Sequence, residues 1–77
     1  MRVKIVLFGL YREKLPKEAH GQTELDLSAG STLADALERM GINAGALCIL
    51  NGQTALDKTR LLTDGDRLQI VPPIGGG

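Results

Sequence analysis

Apolar and polar residues alternate at the start of the chain. Val3, Ile5 and Leu7 are interleaved with Arg2, Lys4, Val6 and Phe8, the period of two that sets one face of a β-strand on a core. Val6 and Phe8 then lie on the opposite face, as a small exposed apolar patch or beneath the connection that follows. Residues 9–22 hold Arg12, Glu13, Lys14, Lys17 and Glu18, broken by Pro16 and Gly21, and predict a solvated connection without a long regular element. Alternation returns in Thr23-Glu24-Leu25-Asp26-Leu27, a second strand with Leu25 and Leu27 inward. After the turn residues Ser28-Ala29-Gly30-Ser31, Leu33, Ala36, Leu37 and Met40 recur at helical spacing, with Asp35, Glu38 and Arg39 on other faces. Ser31 or Thr32 can cap this helix, and with Thr32 as the cap Asp35 takes the capping-box position. Gly41 supplies the left-handed residue that stops it after about nine residues, too short to be stable unless packed on a sheet.

Residues 47–50 read as a third strand, and Asn51-Gly52 is a strong two-residue hairpin signal because both residues tolerate positive φ. A short partner strand begins at Gln53. Beyond Leu61-Leu62, the turn Thr63-Asp64-Gly65-Asp66 leads into Arg67-Leu68-Gln69-Ile70-Val71, with Leu68 and Ile70 inward. The predicted layout is α+β: one mixed sheet of four to five strands with one short helix across one face.

Composition narrows the function classes. Seventy-seven residues allow one domain. With 43% hydrophobic residues and only Phe8 and Tyr11 as aromatics, the core must be aliphatic. Nine basic and nine acidic residues cancel and are interspersed, which leaves no basic stripe for a phosphate backbone, so no nucleic-acid partner is expected. The apolar run over residues 3–10 is too short to span a bilayer and lacks a small-residue cleavage site, so the expectation is a cytoplasmic protein without a membrane partner, monomeric when free. The single cysteine, Cys48, agrees with a reducing compartment. It could serve as a persulfide site, but no basic residue stands near it in its apolar run, and an inert core thiol is the expected status. His20 lacks neighbours at ligand spacing and reads as a surface histidine; no metal site is expected.

The most informative stretch is Pro72-Pro73-Ile74-Gly75-Gly76-Gly77. Three glycines lose much entropy on ordering and have no side chain to pack, so they add nothing to a fold. They make a thin probe, able to thread a narrow channel and present the carboxylate of Gly77. The prolines favour an extended path and separate the glycines from the body. A frayed end or a cloning remnant would also give terminal glycines, yet these abut a strand and prolines and not a Ser-rich linker. The predicted division is a domain over residues 1–74 and a flexible glycine tail over 75–77. Phe8 is the expected apolar anchor for whatever partner holds the body while the tail is threaded, with Pro72, Pro73, Ile74, Gly75 and Gly76 as further partner-binding residues.

The chain resembles the MoaD/ThiS-type sulfur carriers, ubiquitin-like proteins of the β-grasp fold. The resemblance rests on Val6-Leu7-Phe8-Gly9 with Arg12-Glu13, the helix from Ser31-Thr32-Leu33, the Asn51-Gly52 hairpin, Leu62-Thr63-Asp64-Gly65-Asp66 and the Pro-Pro to Gly-Gly-Gly end. It implies that Gly77 is the reactive residue, adenylated by a ubiquitin-activating-type enzyme using ATP and then converted to a thiocarboxylate that donates sulfur. It also implies a chain that binds no cofactor and has no catalytic site of its own, used as a carrier by a sulfurtransferase complex. The long first connection and Pro72-Pro73 are similar to the small subunit of molybdopterin synthase, whose tail enters the large subunit. The brief link over residues 42–46 is closer to carriers that serve thiazole synthase in thiamin formation, which stays the alternative to the favoured role in molybdenum cofactor biosynthesis. A third reading is a ubiquitin-like interaction module, with a tail left unmodified or conjugated to lysines.

Overall fold

The computed structural model describes residues 1–73 of the chain. Five strands and one α-helix follow in the order β1 Arg2–Leu7, β2 Gln22–Asp26, α1 Leu33–Met40, β3 Leu47–Leu50, β4 Gln53–Ala55 and β5 Arg67–Val71. They form one sheet in the spatial order β2-β1-β5-β3-β4. The central pair β1 and β5 is parallel, with Ile5 opposite Leu68 and Leu7 opposite Ile70; every other pairing is antiparallel. This is the α+β layout that the alternation predicts.

Period two decides the faces. Val3, Ile5 and Leu7 on β1, Leu68 and Ile70 on β5, and Cys48 and Leu50 on β3 are buried and share one core with Leu33, Ala36 and Leu37 of α1. The eight-residue helix is too short to stand alone and is held by that contact and by its ends. Thr32 accepts the backbone N–H of Asp35 through its hydroxyl at 3.3 Å, and Asp35 accepts the N–H of Thr32 at 2.8 Å, a complete capping box. The next N–H groups, of Leu33 and Ala34, donate to the carbonyls of Arg60 and Lys58. Gly41, at φ 70°, ends the helix in the left-handed conformation.

Two local readings change. The second strand runs one residue earlier than its alternation suggests. Leu27 lies past its end, buried, with its N–H donating to the carbonyl of Met1, and Leu25 is only half-buried because β2 is an edge strand. The charged connection is more ordered than its composition suggests. It forms two 3-10 turns, Gly9–Lys14 and Lys17–Ala19, and Tyr11 and Leu15, four residues apart, pack against the core while the charged side chains stay outside.

Candidate functional site

The two prolines that begin the tail leave the sheet at the end of β5, so the end of the sheet beside them is the candidate site. Phe8 continues the extended path of β1, at φ −121° and ψ 159°, and its N–H donates to the carbonyl of Ile70 at 3.1 Å. Alternation puts its side chain on the face away from α1. On that face the register brings Phe8 beside Val71, and Val71 is paired with Leu47 of β3. The next row is Val6, Gln69 and Ile49, also in register. Phe8 and Leu47 are 38% and 36% exposed, Val71 and Ile49 are half-buried, and Val6, between Gln22 and Gln69, is buried. The choice between an exposed patch and a covered one thus divides by residue: Phe8 is open and Val6 is not.

Three strands therefore present an apolar surface that ends where the prolines begin. Below it the face turns charged, with Lys4 paired in register with Glu24 and with Arg67, and Arg2 with Asp26. Pro72 is half-buried and Pro73 exposed. Ile74, Gly75, Gly76 and Gly77 lie outside the described residues.

The motif residues Arg12 and Glu13 fall on the first 3-10 turn and, with Leu15, Pro16, Lys17 and Gly21, line an open hollow beside β1. The Gly21 carbonyl accepts the N–H of Leu7 at 2.6 Å. A Cβ on Gly21 would meet the carbonyl oxygen of Leu7 at 2.7 Å and the Arg12 side chain at 3.1 Å, so glycine is required at this close approach.

Cys48 is fully buried. Burial pushes its thiol up, and the positive charge of Lys58 offsets only part of that rise. Since the thiolate is the nucleophile, such a group is badly suited to carry a persulfide. His20 is exposed, on a left-handed backbone at φ 53°. Among the described residues no group of His, Cys, Asp and Glu is arranged to hold a metal ion, and no helix is long and apolar enough to cross a membrane.

At the other end of β5 a buried carboxylate holds two turns together. Asp66 accepts the N–H of Thr63 at 2.8 Å, the Thr63 hydroxyl at 2.9 Å and the Asn51 amide at 2.9 Å. The Asn51 carbonyl oxygen in turn accepts the N–H of Arg67 at 2.9 Å. Burial would raise the Asp66 carboxyl, but the hydrogen bonds from Asn51 and Thr63 and the charge of Arg60 outweigh it and hold the group below its ordinary value. This network positions β5 from its start and leaves its far end to the tail.

Sequence reasoning singles out Phe8, which is exposed as expected, and does not single out its neighbours Val71 and Leu47. Neither is marked locally. They join Phe8 only when the register of β1, β5 and β3 brings them into one row.

Comparison with known proteins puts this arrangement in context. Small archaeal modifier protein SAMP1 from Haloferax volcanii superposes with a TM-score of 0.76 at 20% identity, covering 100% of both chains. A structure described as molybdopterin converting factor subunit 1 from Pyrococcus furiosus gives 0.76 at 19% identity, over 96% of this chain and 99% of that one. A complex of subunits 1 and 2 of molybdopterin-converting factor from Helicobacter pylori gives 0.65 at 21% identity, over 100% of each chain. These likenesses establish the ubiquitin-like β-grasp fold. In sequence, an uncharacterized protein of Archaeoglobus fulgidus is 31% identical, over 100% of both chains. The sequence pattern of the ThiS family matches residues 5–77, from the first core strand through the glycines; the chain belongs to the ThiS family.

Proposed function

We propose that the chain is a sulfur carrier whose Gly77 carboxylate is activated as an adenylate and converted to a thiocarboxylate. The observation that carries this reading is the family match, which extends through Pro72 and Pro73 to the glycines. A carboxylate resists nucleophiles because attack adds charge to an anion. Attack of a Gly77 oxygen on the α-phosphorus of ATP forms a C–O–P linkage and releases pyrophosphate, so that AMP becomes the leaving group. The outer sulfur of a donor persulfide then bonds to the carbonyl carbon and AMP departs. A thiol cleaves the S–S bond of the resulting acyl disulfide, leaving the thiocarboxylate on Gly77 and the donor oxidised to a disulfide with that thiol. A separate adenylating enzyme supplies the charge stabilisation for the phosphoryl step. This chain contributes the apolar face of Phe8, Val71 and Leu47 as the surface to be held, and a tail thin enough to enter a channel.

In this reading the acceptor of the sulfur is a pterin precursor on the large subunit of molybdopterin synthase. Support comes from neighbours of the same fold named molybdopterin converting factor subunit 1, one of them in complex with subunit 2. A second reading is favoured by the neighbour named a modifier protein: the same acyl-adenylate, met by a lysine amine, would give an isopeptide bond. The test is pyrophosphate release from ATP by the cognate adenylating enzyme with and without this chain. Release that depends on the chain is expected, followed by sulfur transfer when the loaded carrier is mixed with the large subunit and not with thiazole synthase. Release that is independent of the chain contradicts the proposal.

A further inference from the structure

Gly9 stands where β1 gives way to the first 3-10 turn, with φ at +56°. Its position is fixed from both sides, since the Phe8 N–H donates to the Ile70 carbonyl and the Tyr11 N–H donates back to the Phe8 carbonyl. Directly beside it lies the ring of Pro72. A Cβ added to Gly9 would sit 3.0 Å from Pro72 Cγ and 3.4 Å from Pro72 Cδ, so the ring would have to give by a few tenths of an ångström. The ring itself has little freedom. Val71 is still paired in the sheet, the pyrrolidine fixes φ at Pro72, and the following Pro73 restricts Pro72 to an extended ψ. A rigid ring therefore rests on a bare backbone at the point where the chain leaves the sheet.

We infer that Gly9 is a positioning residue: by lacking a side chain it seats Pro72 against β1 and so sets the direction in which the tail departs toward the adenylating enzyme. The inference rests on the carrier reading above and adds a residue far from Gly77 in sequence to the machinery that delivers it. The same geometry explains why a glycine follows Phe8. The left-handed φ favours one, and the close approach of Pro72 disfavours a side chain there. A displaced departure shifts the origin of everything beyond Pro73, and small misplacements at a remote point are costly when a reacting group must reach near-attack geometry.

The test uses Gly9→Ala and, as a control, Gly30→Ala. Gly30 has φ +91°, outside the left-handed region that Gly9 occupies at +56°, and nothing within 4 Å of an added Cβ, so the control carries a backbone penalty no smaller than that of Gly9→Ala and lacks the contact. In the free protein, Cα–Hα residual dipolar couplings at Pro72 and Pro73 should change in Gly9→Ala and stay as in wild type in Gly30→Ala, with those of β1 and β5 unchanged in both. With the adenylating enzyme and ATP, Gly9→Ala should lower kcat for loading about tenfold while KM moves less than about twofold, and Gly30→Ala should load like wild type. In a Pro72→Ala background, where the ring is gone, adding Gly9→Ala should cost nothing further, the non-additivity expected of a direct contact. Unchanged couplings in Gly9→Ala, equal loading by the two glycine variants, or the same loss in both backgrounds overturns the inference. Failure of wild type to be loaded at all overturns the carrier reading instead, and the couplings still decide whether Gly9 directs Pro72.

Discussion

Replacing Asp66 with alanine should be among the most damaging single changes available outside the aliphatic core. The residue is 8% exposed, and its carboxylate accepts three hydrogen bonds, two from Thr63 and one from Asn51. Bonds to a charged group contribute about 1.5–3 kcal/mol each when the partner is left stranded. Thr63 and Asn51 are exposed residues, however, so water recovers much of that loss, and a total of about 2–3 kcal/mol is expected. For a domain of this size that corresponds to a fall in Tm of about 10–20 °C. The loss should depend on pH with a definite sign. The folded carboxyl is held below its ordinary value, so its stabilisation is fully present above the unfolded value near pH 4 and disappears as pH falls through the folded one. Asp57, which accepts two bonds from Thr59, titrates in the same direction. Its share cancels when wild type and Asp66→Asn are compared. The assay is thermal unfolding followed by circular dichroism from pH 7 to pH 2. Wild type should lose its advantage over Asp66→Asn as the solution is acidified, and Asp66→Ala, assayed well below its own Tm, should still be loaded because the network lies at the opposite end of β5 from the tail. An Asp66→Ala Tm within about 2 °C of wild type, less than about 0.5 kcal/mol, or an advantage over Asp66→Asn that grows at low pH, would refute this reasoning.

Two further changes probe the apolar face and the thiol. Phe8→Ala should raise KM for loading roughly thirtyfold or more, the loss of one interface anchor, while stability falls by less than about 1 kcal/mol because the ring is outside the core; kinetics and a melting curve on one preparation check both, and an unfolded variant or an unchanged KM contradicts the assignment. Cys48→Ala should lower stability by about 1–2 kcal/mol, the cost of a small cavity, and leave sulfur loading intact; a folded variant that no longer accepts sulfur would return Cys48 to the chemistry.

The strands and the helix were legible because each has one buried face, and burial imposes its period on the sequence. Leu47–Leu50, Arg67–Val71 and the capping box of Thr32 and Asp35 needed no tertiary information. Leu27 misled because it is apolar and in phase with β2, yet its N–H bonds to Met1 across the end of the sheet. In the first connection the five charged residues concealed Tyr11 and Leu15, whose spacing suits one side of a turn. Asp66 read as a turn residue, since its partner Asn51 is distant in the chain. The same distance hid the row of Phe8, Val71 and Leu47, for which no local pattern exists; only pairing between strands assembles it. The glycine tail shows the reverse. The role proposed for it is read from the sequence alone, because that role depends on having no side chains and not on a packed geometry.

The central claim is that Gly77 carries the sulfur, and intact-protein mass tests it most directly. The wild-type chain, a chain lacking Gly77 and a chain with one alanine appended are each incubated with the cognate adenylating enzyme, ATP and a persulfide donor with reducing thiol. Deletion shortens the reach by at most about 3.6 Å, enough to move a carboxylate out of near-attack distance, and the added Cβ must fit a passage suited to glycine. Wild type should gain the mass difference between one sulfur and one oxygen, and both variants, with melting temperatures equal to wild type, should gain nothing. Sulfuration of the truncated chain to the same extent as wild type would contradict the account.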